Sequence, residues 1–166
     1  MQNRYPITTD QVLAEYPRPQ MVRSSYFSLN GVWDCAISDE ASLPDLYPYA
    51  IVVPFSPETK LSALEKHVGV DQTISYRRTF AVPLDVGKRT ILHFEAVDHI
   101  CIVYLNGRYI GSHRGGYLPF SFDISEAVKS ENELIVQVQD PCDSQSIIRG
   151  KQARLSGGIF YSGQSG

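Results

Sequence analysis

Residues 100–112 read ICIVYLNGRYIGS, and this stretch does most to decide the fold. An unbroken apolar run leads into Asn106-Gly107, and apolar residues return directly after Arg108. Asn-Gly between two such runs is the strongest short-range signal for a β-hairpin, because both residues of the tight turn take positive φ. The stretch therefore predicts strands at 100–105 and 108–112. The first strand lacks polar alternation, so we expect it to be buried on both faces.

Segments of alternating polarity lie on both sides of this hairpin. The runs at 29–38, 76–83, 90–97 and 133–140 place apolar side chains on one face, and 119–124 indicates another strand. Alternation with a period of two is typical of a half-buried antiparallel sheet. The residues expected to face the core are Leu29, Trp33, Cys35, Ile37, Tyr76, Phe80, Val82, Leu92, Phe94, Ala96, Leu134, Val136 and Val138. Those expected to face outward are Gln137 and Gln139, and those expected to interrupt the strands are Gly111, Gly115 and Gly116.

Helical signals are confined to two short stretches. One turn is predicted at 125–129 with Ser125 as its N-cap, and another within 57–66. Many short strands, proline-rich loops and no long 3.6-residue periodicity predict an all-β fold with only short helical turns. The fold class is a β-sandwich or jelly roll.

Length and composition indicate one domain and exclude several functions. The 166 residues are 43% hydrophobic and 20% charged, with a formal net charge of −3. This balance gives no basic field for nucleic acid, and no apolar run is long enough to cross a membrane. The start, MQNRYPITTDQV, lacks the apolar core of a secretory signal. Cys35, Cys101 and Cys142 form no CxxC pair, which favours reduced thiols and a cytoplasmic location.

The sequence carries none of the common local motifs for metals, nucleotides or nucleophilic catalysis. It contains no HExxH, GxSxG, Walker or dinucleotide pattern. The histidines are too far apart for a local metal motif, and they are His67, His93, His99 and His113. We therefore expect no metal and no cofactor.

A series of sequence blocks, taken in order, resembles one protein family. The blocks are Tyr16-Pro-Arg-Pro-Gln20, Ser28-Leu-Asn-Gly-Val-Trp33, Ile51-Val-Val-Pro-Phe-Ser-Pro-Glu58, Tyr76-Arg-Arg-Thr-Phe80, His93-Phe-Glu-Ala-Val-Asp98, Gly111-Ser-His-Arg-Gly-Gly-Tyr-Leu-Pro-Phe120, Asn132-Glu-Leu-Ile-Val136, Arg149-Gly-Lys-Gln152 and Gly157-Gly-Ile-Phe-Tyr161. They resemble the N-terminal sugar-binding domain of glycoside hydrolase family 2, which includes β-galactosidases, β-glucuronidases and β-mannosidases. Each block alone is weak, but together they span nearly the whole chain.

The resemblance implies a domain architecture. It implies a galactose-binding-domain-like jelly-roll β-sandwich over residues 16–166, preceded by an extension at 1–15. Family members continue through a Gly-Ile-Trp strand, an immunoglobulin-like sandwich and a TIM barrel with both catalytic glutamates. Because the sequence stops at Gly166, we expect the last strand of the jelly roll to be missing.

The resemblance also implies a function. The parent enzyme would hydrolyse O-glycosidic bonds of β-galactosides or β-glucuronides with retention, in carbohydrate metabolism. The polar and cationic Arg149-Gly-Lys-Gln152 loop favours these substrates over mannosides. The segment alone is expected to be inactive, because the glutamates of the barrel lie elsewhere. Its expected partners are a carbohydrate and its own downstream domains, and a homo-oligomer stays open.

Two loops are predicted by motif position to reach the substrate. One follows Val53, and the other runs from Asp140 to Gly158. The predicted substrate-binding residues are Ser56, Glu58, Asp140, Arg149, Lys151 and Gln152. Polar side chains with charged neighbours can hydrogen-bond sugar hydroxyls and orient the ring. The alternative is that these groups only hold the domain to its barrel.

Two other functions remain open from the sequence. The chain would be a free-standing, lectin-like carbohydrate-binding module if it bound sugar unaided. It would be a protein-interaction domain if it associated through an apolar edge without binding sugar. Fold alone does not decide between these functions.

Overall fold

The computed structural model describes residues 12–13, 18–83, 87–141, 147–148, 150–153 and 157–165. Within these ranges the strands are β1 (Gly31–Ser38), β2 (Tyr49–Val53), β3 (Thr73–Ala81), β4 (Ile91–Phe94), β5 (Ile100–Leu105), β6 (Arg108–Arg114), β7 (Phe120–Asp123), β8 (Glu131–Gln139), β9 (Gln152–Ala153) and β10 (Tyr161–Ser162). Short 3₁₀ turns lie at Pro19–Met21 and Lys60–Ser62. In this described part of the chain, no helix is long and apolar enough to cross a bilayer.

Two antiparallel sheets build the domain. The larger sheet has the strand order β2-β1-β3-β8-β5-β6, and β4 pairs with β7 in a smaller sheet. The short strands β9 and β10 form a separate parallel pair. The many non-consecutive neighbours and the two layers confirm the predicted all-β jelly-roll sandwich.

The core lies between the two sheets. From the larger sheet it takes Trp33, Cys35, Ile51, Ile74, Tyr76, Cys101, Val103, Leu105, Leu134, Val136 and Val138. The smaller sheet contributes Leu92 and the stacked rings of Phe94 and Phe120, whose centroids are 4.8 Å apart. Trp33 is a core residue, as predicted, and its indole N–H donates to the Leu29 carbonyl at 2.8 Å.

The Asn106-Gly107 turn confirms the predicted hairpin. Asn106 and Gly107 have φ of 54° and 77°, so both occupy the left-handed region that the turn requires. The prediction that β5 is buried on both faces is wrong. Its residues alternate between buried and half-buried, because the outer face of the sheet at Ile100, Ile102 and Tyr104 is only partly covered.

A loop over the outer sheet face corrects another prediction. Gln137 does face away from the sandwich core, yet it is only 3% exposed. Its amide donates to the Ala41 and Ser42 carbonyls at 3.4 and 3.2 Å and to Ser75 Oγ at 3.2 Å. The loop after β1 covers this side chain, and alternation along one strand contains no information about such a loop.

The predicted turn at 125–129 forms without Ser125 as a helix cap. Ala127 and Val128 donate to the Ile124 carbonyl, but no helix is built on this turn. Ser125 Oγ instead accepts the Thr90 N–H at 2.9 Å. The Asp123 carboxylate accepts the Ser125 N–H at 3.0 Å, so Asp123 closes an Asx turn here. The other predicted turn, within 57–66, is confirmed as the 3₁₀ turn Lys60–Ser62.

β6 extends two residues beyond its predicted end at 112, to Arg114. Gly111 lies within the strand and does not break its regularity, contrary to expectation, whereas Gly115 directly follows its last residue. A Cβ atom at Gly111 would contact the ring of Phe122 on the facing sheet. Glycine is therefore needed here for close packing rather than for a turn.

Candidate functional site

The two loops predicted to reach substrate lie together at one site. Three segments meet there: residues 56–58, 151–153 and 161–165. We call the residues at this junction the loop cluster. Side-chain hydrogen bonds join Ser56, Glu58, Gln152, Gln164 and Ser165, and Lys151 takes part through its backbone carbonyl.

The first segment is held rigidly by its own hydrogen bonds. The Thr59 N–H and Oγ1 both donate to the Ser56 carbonyl, at 3.0 and 2.8 Å. The buried Ser62 hydroxyl lies 3.1 Å from the Pro57 carbonyl and 2.7 Å from that of Thr59. The Lys66 N–H closes the loop by donating to the Pro57 carbonyl at 3.0 Å. These bonds fix the backbone from which Ser56 and Glu58 project.

The second and third segments are joined as the β9–β10 pair. The Tyr161 N–H donates to the Lys151 carbonyl at 2.8 Å, and the Gly163 N–H donates to that of Ala153 at 3.0 Å. The pairing continues through a side chain, because the Gln164 N–H donates to Gln152 Oε1 at 3.1 Å. Residues 161–165 therefore run alongside residues 151–153 in the same direction.

Side chains connect the first segment to the third. Ser56 Oγ donates to Gln164 Oε1 at 3.4 Å. The Ser165 N–H donates to Glu58 Oε2 at 3.2 Å, and Ser165 Oγ donates to Glu58 Oε1 at 2.5 Å. His67 Nδ1 lies 4.0 Å from the same Oε1 atom, and the Glu58 side chain is only 12% exposed. A carboxylate this buried needs such charge-assisted bonds.

The predicted site residues have different outcomes. Ser56, Glu58, Lys151 and Gln152 come together in the loop cluster, whereas Arg149 lies outside the described residues. Asp140 is only 4% exposed, directly after β8, so its carboxylate is not presented to solvent.

Sequence reasoning missed Gln164 and Ser165. Both follow the Gly157-Gly-Ile-Phe-Tyr161 block, and a short polar tail carries no recognisable motif. The available signal was Glu58 itself, since a carboxylate in a proline-bounded loop needs a partner when it is buried. The sequence does not show which residue, 107 positions away, supplies that partner.

The loop cluster does not resemble a hydrolytic centre. Its carboxylate is Glu58, and both of its oxygens accept hydrogen bonds from Ser165. Retaining glycoside hydrolysis needs a pair of carboxyl groups about 5 Å apart. Among the described residues, no group of three or more His, Cys, Asp or Glu side chains is arranged to hold a metal ion.

Two exposed aromatic residues lie at the start of the third segment. Phe160 directly precedes this segment and Tyr161 is its first residue, and both side chains are solvent-exposed. Aromatic faces next to a few fixed polar groups are typical of small-ligand sites. On this jelly-roll sandwich, the loop cluster and the exposed aromatic residues are chemically suited to a ligand that has hydroxyl groups and an apolar face.

Comparison with known proteins identifies the family. The family model described as "Glycosyl hydrolases family 2, sugar binding domain" matches residues 26–163. The chain belongs to this family and represents its sugar binding domain. The resemblance in the sequence blocks is thereby confirmed.

The similar proteins are glycoside hydrolases. A β-galactosidase of Thermoanaerobacter pseudethanolicus is 46% identical over 67 residues, which cover 38% of this chain and 9% of that protein. A β-glucuronidase of Paenibacillus borealis is 30% identical over 112 residues, covering 66% of this chain and 18% of that protein. The solved structure of Bifidobacterium dentium β-glucuronidase, complexed with coumarin-3-O-glucuronide, has a TM-score of 0.55 at 39% identity over 68% of this chain and 20% of that chain. The chain thus spans a fifth or less of these relatives.

Proposed function

We propose that this chain is the non-catalytic sugar-binding module of a retaining β-glycosidase that acts on β-glucuronides or β-galactosides. The observation that carries the proposal is the loop cluster, which joins two predicted sugar-contacting loops beside exposed aromatic rings. In this proposal Ser56, Lys151 and Gln152 hydrogen-bond the sugar or its substituents, while catalytic carboxylates on another domain cleave the bond.

The charge of the loop cluster supports a distinction between the two sugars. Lys151 is exposed, and an ammonium group can pair with the carboxylate of a uronic acid but only hydrogen-bond a neutral galactoside. Such an exposed pair is worth about 0.2–1 kcal/mol, a difference of a few-fold in affinity. We therefore propose a modest preference for β-glucuronides.

An exposed apolar surface supports a role within a longer protein. Tyr117, Leu118 and Ile148 are all exposed, and the Tyr117 hydroxyl donates to the Ile148 carbonyl at 2.8 Å. In the proposed enzyme this surface packs against the immunoglobulin-like and barrel domains. The greater length of the relatives supports the same arrangement.

Two assays on the purified chain test the proposal. Release of nitrophenol from nitrophenyl β-D-glucuronide and β-D-galactoside should not exceed the blank, and turnover by the chain would refute the non-catalytic role. Calorimetric titration should show weak binding of methyl β-D-glucuronide that falls to the galactoside level in Lys151→Ala. Tight, unaided binding would instead support a free-standing module. Concentration-dependent self-association without any sugar binding would support an interaction domain.

A further inference from the structure

We propose that Glu58 is a positioning residue and that Gln164 is the sugar-contacting residue it positions. This inference rests on the proposed sugar-binding function and changes the role of Glu58 from ligand contact to support. It adds to the site a residue that the sequence motifs do not indicate.

Both oxygens of the Glu58 carboxylate are occupied by hydrogen bonds within the chain. Each carboxylate oxygen accepts a hydrogen bond from Ser165, one from its N–H and one from its hydroxyl. Ser165 is itself buried, and the Glu58 side chain is nearly so. A sugar hydroxyl approaching from solvent has little access to this carboxylate, so direct ligation by Glu58 is disfavoured.

The two hydrogen bonds between Ser165 and Glu58 hold the neighbouring residue, Gln164, in place. Ser165 directly follows Gln164, so anchoring Ser165 fixes the position of the Gln164 backbone between the other two segments. Gln164 then uses its N–H to reach Gln152 Oε1 and its Oε1 to accept from Ser56. Gln164 thus links the two predicted sugar-contacting residues, through its backbone N–H to Gln152 and through its side chain to Ser56.

The side-chain NH₂ group of Gln164 is the donor proposed to contact the sugar. Gln164 is solvent-exposed, and its Oε1 atom is engaged by Ser56. Its amide NH₂ group carries two donors, and no hydrogen bond from them to a described residue is found, so they can reach an acceptor outside the described part of the chain. A pyranose ring presents hydroxyl oxygens as such acceptors, and a rigid loop reduces the entropic cost of the contact.

Amide hydrogen exchange of the full chain tests the positioning role. Glu58→Gln keeps the shape of the side chain but removes one acceptor oxygen, so a purely steric role predicts unchanged exchange. We expect the Ser165 and Gln164 amides to exchange about tenfold faster in Glu58→Gln, which corresponds to loss of one charge-assisted hydrogen bond. The matched control is Glu126→Gln, an exposed acid whose contact with Arg108 is 3.6 Å long. Unchanged exchange in Glu58→Gln would overturn the proposal.

A second variant keeps the test decisive if Glu58→Gln unfolds. Ser165→Ala removes the hydroxyl from the other side of the same contact, and it should accelerate exchange of the Gln164 amide similarly. Where both variants fold, the double variant should exchange no faster than the faster single variant, because both disrupt one contact. Additive effects would contradict the direct coupling.

The sugar contact has its own measurement. Gln164→Glu keeps an acceptor for Ser56 but removes the NH₂ donors, and we expect it to weaken binding of methyl β-D-galactoside about fivefold or more. This neutral sugar is the probe because the new carboxylate would repel a glucuronide whether or not a hydrogen bond was lost. Wild-type affinity in Gln164→Glu would overturn the contact. If the wild-type chain bound no sugar while Glu58→Gln still released Ser165, the positioning role would stand and the sugar-binding proposal would fail.

Discussion

Asn106 is the residue whose replacement tests the account of the fold most sharply. It lies in the β5–β6 turn with positive φ, and its side chain takes part in three hydrogen bonds. Its Nδ2 group donates to the Ala127 carbonyl at 2.8 Å and to Asn132 Oδ1 at 3.0 Å, while its Oδ1 accepts the Glu133 N–H at 3.0 Å. The side chain thus ties the hairpin to the start of β8.

The expected cost follows from these bonds and from the backbone. Three hydrogen bonds at about 1 kcal/mol each amount to roughly 3 kcal/mol, and a left-handed alanine adds about 1 kcal/mol. Asn106→Ala should therefore lower the free energy of unfolding by about 4 kcal/mol. Asn106→Gly should lower it by only about 3 kcal/mol, because the same hydrogen bonds are lost but glycine accepts positive φ without strain.

Urea unfolding followed by Trp33 fluorescence measures both changes. Trp33 is the single tryptophan and lies in the core, so its emission reports loss of the sandwich. The control is Arg108→Gln at the exposed first residue of β6, for which we expect a change within about 0.5 kcal/mol. If both Asn106 variants matched this control, the hydrogen-bond argument would be wrong. If alanine and glycine were equivalent, the backbone argument would be wrong.

Three other predictions concern thiol reactivity, acid stability and packing. Burial raises the pKa of Cys35 to about 11, so peptide mapping should find it unmodified by iodoacetamide at neutral pH until the chain is unfolded. Hydrogen bonds from the Ser125 hydroxyl lower the pKa of Asp123 to about 2 from 3.8, so its stabilising effect is present above pH 3.8 and lost towards pH 2. The difference in urea midpoint between wild type and Asp123→Asn should shrink over that interval, and a constant difference would refute the assignment. Gly111→Ala should cost about 1–3 kcal/mol in the same unfolding assay, because the new methyl group contacts Phe122.

Local rules predicted much of the fold. The Asn106-Gly107 turn depends on backbone geometry that two residues carry by themselves, and the hairpin forms as expected. Leu134, Val136 and Val138 alternate within one strand, and they are buried together. Such features need only near neighbours in the chain.

The predictions that failed depend on segments far apart in the chain. Gln137 is buried by the loop at Ala41 and Ser42, about a hundred positions earlier. Ser125 Oγ donates to Asp123 within its own turn, but it also accepts the N–H of Thr90, 35 positions earlier in the chain. Neither partner can be predicted from the periodicity of a strand or from a local motif. The tertiary fold decides which polar groups come close enough to form a hydrogen bond.

In the candidate site too, local motifs predicted individual residues but not the long-range contacts between them. Motif position located Ser56 and Gln152 on two separate loops, and the structure joins them through Gln164. The tail residues that complete the site have no signature of their own. Their role follows from the burial of Glu58, which only the folded chain reveals.

An NMR titration can decide whether the loop cluster of this domain contacts a sugar. We would titrate the ¹⁵N-labelled chain with millimolar methyl β-D-glucuronide and follow the backbone amide shifts. The account predicts saturable shifts confined to the loop cluster, at Ser56, Gln152 and Gln164. Saturable shifts on the outer face of the larger sheet, with none in the loop cluster, would contradict it.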